Sequence, residues 1–112
     1  MRRSLWILIT LASIVATAAA IADGHSTDEL SGEAIYKANC ANCHSGGFGG
    51  FFTGAPKVGK AKDWEELLPK GVDGLTASTI AGIGEMAARG QCETCSDEEI
   101  RAAVEYMVEE SQ

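Results

Sequence analysis

From Ile100 to Val108 the apolar residues fall at Ile100, Ala103, Val104, Met107 and Val108, the i, i+3, i+4, i+7, i+8 recurrence of a helix with one buried stripe. Ser96 and Glu99 stand at capping-box spacing just before it, and Asp97 and Glu98 put negative charge at the positive N-terminal end. Such a stripe needs a packing partner. Ser31 is placed to cap a first helix through Gly32, Glu33, Ala34, Ile35, Tyr36 and Lys37 that runs directly into Cys40. Gly32 allows close approach there, and Ile35 and Tyr36 supply bulk.

The middle of the chain is less regular. Ser45 to Gly54 is dominated by glycine and interrupted by Phe48, Phe51 and Phe52, which predicts a loop. Asp63 and Glu66 have capping-box spacing around Trp64, and Leu67 and Leu68 follow before Pro69, so a short second helix is expected. A third covers Leu75 to Ala81, Gly82 and Gly84 break it, and Glu85 to Gly90 reads as extended or looped. No alternation of strand type stands out, so the fold class is all-α with short helices.

The first residues belong to an address rather than to this pattern. Arg2 and Arg3 precede an apolar run from Leu5 to Val15, and small residues follow through Ala22, as in a secretory signal peptide. Cleavage is expected after Ala22, with Ala20 as the alternative, giving a signal peptide at 1–22, a polar leader at 23–30 and one domain at 31–112. The competing reading is an uncleaved anchor, since Leu5 to Ala22 approaches the length of a spanning helix. The chain from Asp23 onward keeps seven basic against sixteen acidic residues, a formal charge of −9. That balance disfavours nucleic acid as a partner. A domain this small buries only about 60% of its unfolded surface, so a disulfide, metal or cofactor is expected to help hold it.

The four cysteines show where that help comes from. Cys40-Ala41-Asn42-Cys43-His44 is Cys-x-x-Cys-His, the attachment pattern of c-type haem. Two thiols at this spacing can add to the two vinyl groups of one haem edge, and the next residue brings an imidazole to the iron. Two other uses of the cysteines compete: a redox dithiol, which would want a βαβ setting, and a zinc site made with Cys92 and Cys95, which would leave His44 unexplained. For the iron's second face methionine is the first candidate. Met1 leaves with the signal and Met107 belongs to the last helix's stripe, so Met86, between Gly84 and Gly90, is the expected ligand; His25 in the leader is the alternative. Cys92 and Cys95 read as a disulfide closing a small ring at the entry to the last helix. Ser96 stands where a second haem would require a histidine. Phe48, Phe51 and Phe52 either cover the haem edge, form an apolar docking patch, or fill the domain's own core.

On these residues the chain resembles the class I cytochromes c, and within them bacterial cytochrome c5. The resemblance runs from Gly32 to Met107. It rests on Cys40 to His44, on Gly54-Ala55-Pro56-Lys57-Val58-Gly59, on Trp64, on Met86, and on Cys92 to Cys95 leading into Ser96-Asp97-Glu98-Glu99. It implies a haem packed among short helices, crossing first and last helices, His44 and Met86 as axial ligands, a Cys92–Cys95 disulfide, and the Pro56 carbonyl accepting the proton on the far nitrogen of His44. Two departures stand out. Ala87 and Ala88 occupy positions where the family typically has prolines, which predicts a more mobile ligand loop, and the loop from Ser45 to Ala55 is longer than usual.

The expected function is one-electron transfer by a mono-haem c-type cytochrome, not catalysis, in the periplasm. Its partners would be redox proteins such as a membrane oxidoreductase, a terminal oxidase or a reductase. The rivals are a haem enzyme or small-ligand sensor at a site vacated by Met86, and a zinc or disulfide structural module.

Overall fold

The two terminal helices form the frame on which the rest hangs. The computed structural model describes residues 30–112, so the expected signal peptide, nearly all of the leader, and His25 lie outside the described residues. Helix α1 is Gly32–Ile35, capped by Ser31 Oγ, which accepts from the Ala34 N–H at 3.2 Å. A π turn, Tyr36–Cys40, follows directly, with the Ala41 N–H donating to the Tyr36 carbonyl, and α2, Ala41–His44, continues the same rod. The long C-terminal helix α6 is Asp97–Glu109. Its capping box is formed as expected: Ser96 Oγ accepts from the Glu99 N–H at 3.1 Å, and the Glu99 carboxylate accepts from the Ser96 N–H at 2.8 Å. All five stripe residues, Ile100, Ala103, Val104, Met107 and Val108, are buried.

Helix α1 lies across α6 at a contact that only glycine permits, because a Cβ on Gly32 would overlap the Ala102 carbonyl oxygen. That oxygen is backbone and has no side chain to swing away. Gly32→Val is therefore expected to push the helices apart and cost about 1–3 kcal/mol, the usual range for overpacking. Denaturant unfolding of the haem-loaded protein measures it; an unchanged midpoint would mean the crossing is looser than described.

The crossing divides the core in two. Ile35, Ile100 and Ala103 pack with Cys92 and Cys95 on one side, and Tyr36, Trp64, Val104, Met107 and Val108 pack together on the other. Cys40 touches both clusters, so the first cysteine of the attachment motif sits at their seam. The π turn puts one extra residue into the rod just before it.

Four expectations for the middle of the chain are corrected. Residues Phe48–Thr53 form a helix, α3, where a loop was expected, and Gly54 ends it in the left-handed region at φ 65°. Glycine here does not loosen the backbone but lets it approach another: Cβ atoms on Gly49 and Gly50 would overlap the carbonyl oxygens of Asn42 and Cys43. Helix α4 is Ala61–Trp64, so Asp63 lies inside it instead of capping it, and its carboxylate accepts from the Lys57 N–H at 3.1 Å. Pro69 does not stop a helix; it sits in a 3-10 turn, Leu68–Lys70, leading into α5, Gly71–Ala81. Helix α5 begins four residues before Leu75, where packing on α6 outweighs the poor propensity of Gly71, Asp73 and Gly74. Gly82 ends α5 as expected, at φ 82°. A second 3-10 turn, Ala88–Gln91, leads to the paired sulfur atoms of Cys92 and Cys95, whose Cα atoms are 5.4 Å apart.

The result is the all-α fold of short helices that the sequence pattern implied. Among the described residues the only strand-like feature is a single antiparallel bridge between Ile83 and Met86.

Candidate cofactor site

A cavity of about 640 Å³ opens between α2, α5, the Met86 segment and the inner face of α6. Its size lies within the range of about 300–1,000 Å³ typical of cofactor sites. Cys40, Cys43, His44 and Met86 all line it, among apolar walls that include Leu75 and Ile100. Four residues chosen from sequence for one chemistry are thus brought to one space.

His44 is buried, with 7% of its surface exposed, and its Nδ1 lies 2.7 Å from the Pro56 carbonyl oxygen. A carbonyl can only accept, so Nδ1 carries the proton and Nε2 keeps its lone pair for a metal. The strand of chain holding that carbonyl is fixed from several sides. The Val58 N–H donates to the His44 carbonyl at 2.8 Å, and the Trp64 indole N–H donates to the Lys57 carbonyl at 2.9 Å. The Gly59 N–H donates to Ser111 Oγ at 3.1 Å, and that hydroxyl donates to the Met107 carbonyl at 2.7 Å, so α6 also anchors the loop. Fixing the acceptor fixes the ring, which is what an iron-bound imidazole requires.

Cys40 and Cys43 are unpaired and half-buried at the cavity wall. Burial, and then the neighbouring Cys43, push the Cys40 thiol above its ordinary pKa. Cys92 and Cys95 lie against each other, and no cluster of three or more His, Cys, Asp or Glu among the described residues is arranged to hold a metal ion. The zinc reading that used all four has no site.

Met86 enters from a tight turn in which the Ile83 N–H donates to the Met86 carbonyl at 3.1 Å and the Met86 N–H donates to the Ile83 carbonyl at 2.9 Å. Behind it, Arg89, Gly90 and Gln91 all have positive φ, at 59°, 58° and 67°. Three consecutive left-handed residues, two of them not glycine, cost free energy that the surroundings must offset. The Arg89 side chain does so by pairing with Asp97 at 2.8 Å and donating to the Cys95 carbonyl. The loop that Ala87 and Ala88 were expected to leave mobile is therefore tied to the start of α6.

The residues present fit a covalently tethered haem: two free thiols at motif spacing, an imidazole presented with a free nitrogen, a thioether from a separate segment, and apolar walls. Sequence reasoning missed Asp63, Ser111 and Arg89. Only Trp64 carried a signal of this support, since a buried indole N–H usually finds an acceptor. Phe48, Phe51 and Phe52 do not line the cavity and are exposed on α3, so the reading that they fill the domain's own core is corrected.

A family model described as "Cytochrome C oxidase, cbb3-type, subunit III" matches residues 27–107. Among curated relatives, cytochrome c-555 of Prosthecochloris aestuarii is 37% identical over 80% of this chain and 94% of its own length. Cytochrome c5 of Ectopseudomonas mendocina is 38% identical over 69% of this chain and 86% of its own. Among solved structures, a mono-haem ferrocytochrome c from Shewanella putrefaciens matches at 40% identity with a TM-score of 0.61, covering 76% of this chain and 99% of that one. A cytochrome c solved in an electron transfer complex with nitrite reductase matches at 34% identity with a TM-score of 0.65, covering 72% of this chain and 94% of that one.

Proposed function

Since this chain belongs to the class I monohaem cytochromes c, alongside cytochromes c5 and c-555, we propose that Cys40 and Cys43 form its two thioether bonds and that His44 and Met86 are its axial ligands. It is an electron carrier with one covalently attached haem c, not an enzyme. The observation that carries the assignment of residues is their meeting in one cavity, with His44 turned by the Pro56 carbonyl so that Nε2 is left free. When bound, the haem supplies a reversible one-electron couple at its iron. The chain's part is to hold that couple still: His44 by its Pro56 hydrogen bond, Met86 by the Ile83 turn and the Arg89 anchor. Leu75, Ile100 and the other apolar walls keep water away, which limits the reorganisation that accompanies a change of charge. A thioether ligand raises the potential relative to two imidazoles, which suits delivery to a high-potential acceptor such as a reductase or a terminal oxidase.

The sequence at 1–22 supports export to the periplasm with removal of the signal and a mature start at Asp23. Among the described residues no helix is long and apolar enough to cross a membrane. Intact mass spectrometry of the purified protein tests both halves of this reading. The expected mass is that of residues 23–112 plus one haem. A mass that includes residues 1–22 removes the cleavage assignment, and a mass without haem removes the attachment.

The same oxidising compartment suits a Cys92–Cys95 disulfide. Closing so short a ring is worth roughly 2 kcal/mol by loop entropy. Replacing both cysteines by serine is expected to lower stability by about 1–2 kcal/mol and leave the visible spectrum unchanged. Thiol titration of the native oxidised protein should find no free thiols; two would contradict the bond.

A further inference from the structure

Helix α3 is amphipathic the wrong way round. Its glycine face is buried, with Gly49 and Gly50 pressed on the carbonyls of Asn42 and Cys43, while Phe48, Phe51 and Phe52 are 85%, 77% and 68% exposed. The rings stack edge to face on one another, Phe48 on Phe52 at 4.9 Å and Phe51 on Phe52 at 5.2 Å, and so form one continuous patch. Folding alone does not account for three aromatic side chains held in water on a helix whose backbone is docked this tightly. Contiguous exposed apolar surface of this kind marks interaction sites.

Charge says what would cover it. From Ser45 to Lys62 the chain has Lys57, Lys60 and Lys62 and no acidic residue, whereas the other described residues hold four basic and thirteen acidic ones. None of these three lysines is in an ion pair among the described residues. The Lys57 stem runs beside α3, within 3.3 Å and 3.9 Å of where Cβ atoms on Gly46 and Gly50 would stand. Asp63, the nearest acid in sequence, is turned onto the Lys57 N–H. A strongly acidic protein thus carries an apolar patch with Lys57 beside it, in a stretch of chain whose only charged residues are basic. That patch rests directly on the backbone of Cys43, and the chain leaving it, Thr53 to Pro56, lines the cofactor cavity.

Building on the electron-carrier reading, we propose that α3 with Lys57, Lys60 and Lys62 is the docking face for a redox protein whose own contact surface has an apolar centre and a carboxylate rim. Aromatic anchors would supply the buried centre of the contact and the lysines its steering. A partner seated there would lie one backbone contact, Gly50 on Cys43, from a residue proposed to hold the haem. A lipid surface gains nothing from that placement.

A gold electrode coated with a mixed methyl- and carboxylate-terminated monolayer reproduces the chemistry of such a partner. Wild-type protein is expected to exchange electrons with it rapidly, and more slowly as salt is raised. The variants Phe51→Ser/Phe52→Ser and Lys60→Glu/Lys62→Glu should each exchange at least about tenfold more slowly, with unchanged potential and melting temperature. On an amine-terminated monolayer, which recruits the acidic remainder of the surface, all three proteins should exchange alike. Variants that match wild type on the mixed monolayer overturn the docking face while leaving the carrier reading intact. Phenylalanine-dependent sedimentation with phosphatidylserine vesicles, or a phenylalanine-dependent dimer, overturns it in favour of a membrane or a second copy. No one-electron wave on either surface overturns the carrier reading as well.

Discussion

Replacing Cys40 and Cys43 together by serine is expected to abolish covalent haem attachment, and with it the isolation of a stable coloured protein. Neither hydroxyl can form a thioether, and the cavity of about 640 Å³ would lose its tether. The effect reaches the fold because Cys40 sits where the two core clusters meet. In a domain this small the apolar core alone contributes little margin, so loss of the bound group is expected to leave a largely unfolded chain. Each single variant should keep one thioether and an intermediate stability. Acid-acetone extraction and the visible spectrum are the readouts: haem that stays with the double variant through extraction would show that the attachment lies elsewhere.

The second large effect is expected from Met86→Ala. Removing the thioether leaves His44 as the sole protein ligand, opening one face of the iron to water and to added carbon monoxide. The reduction potential should fall by on the order of 100 mV or more, since axial ligands move haem potentials over a span of about 0.8 V. Met107→Leu is the control. Met107 is buried in the stripe of α6, and a volume-conserving swap there usually costs less than about 1.5 kcal/mol. If both variants change the potential equally, the effect comes from packing and Met86 is not the ligand. Arg89→Ala should fall between wild type and Met86→Ala, because it frees the loop without removing the sulfur.

The terminal helices were legible because both of their signals are local. A capping residue and an apolar stripe are written in consecutive positions, and Ser31, Ser96 and Glu99 cap as their spacing says. The site was legible for a different reason: the chemistry of thioether attachment dictates the Cys-x-x-Cys-His spacing of Cys40, Cys43 and His44, Met86 could be separated from Met107 by the stripe that claims the latter, and all four line one cavity. What was not legible depends on contacts between distant segments. Glycines in Phe48–Thr53 read as loop formers, and only the carbonyls of Asn42 and Cys43 beneath them explain a helix there. Asp63 had cap spacing but found a better use on the Lys57 N–H, across a turn that no local pattern encodes. Ser111 lies one residue from the chain end, with nothing in its sequence setting to mark it as the link between α6 and the His44 loop. The alanines after Met86 pointed to a loose loop, yet Arg89 supplies the missing restraint from three residues further on.

The central claim is that His44 and Met86 together close the coordination of the iron, making this protein a carrier. It is tested most directly on the unmodified protein at neutral pH, by its ferric near-infrared spectrum and by the mixing of its ferrous form with carbon monoxide. A weak sulfur-to-iron charge-transfer band and slow, incomplete carbon monoxide binding are predicted. Absence of the band, with rapid and stoichiometric binding, would contradict the account and place the chain among haem proteins that bind small molecules.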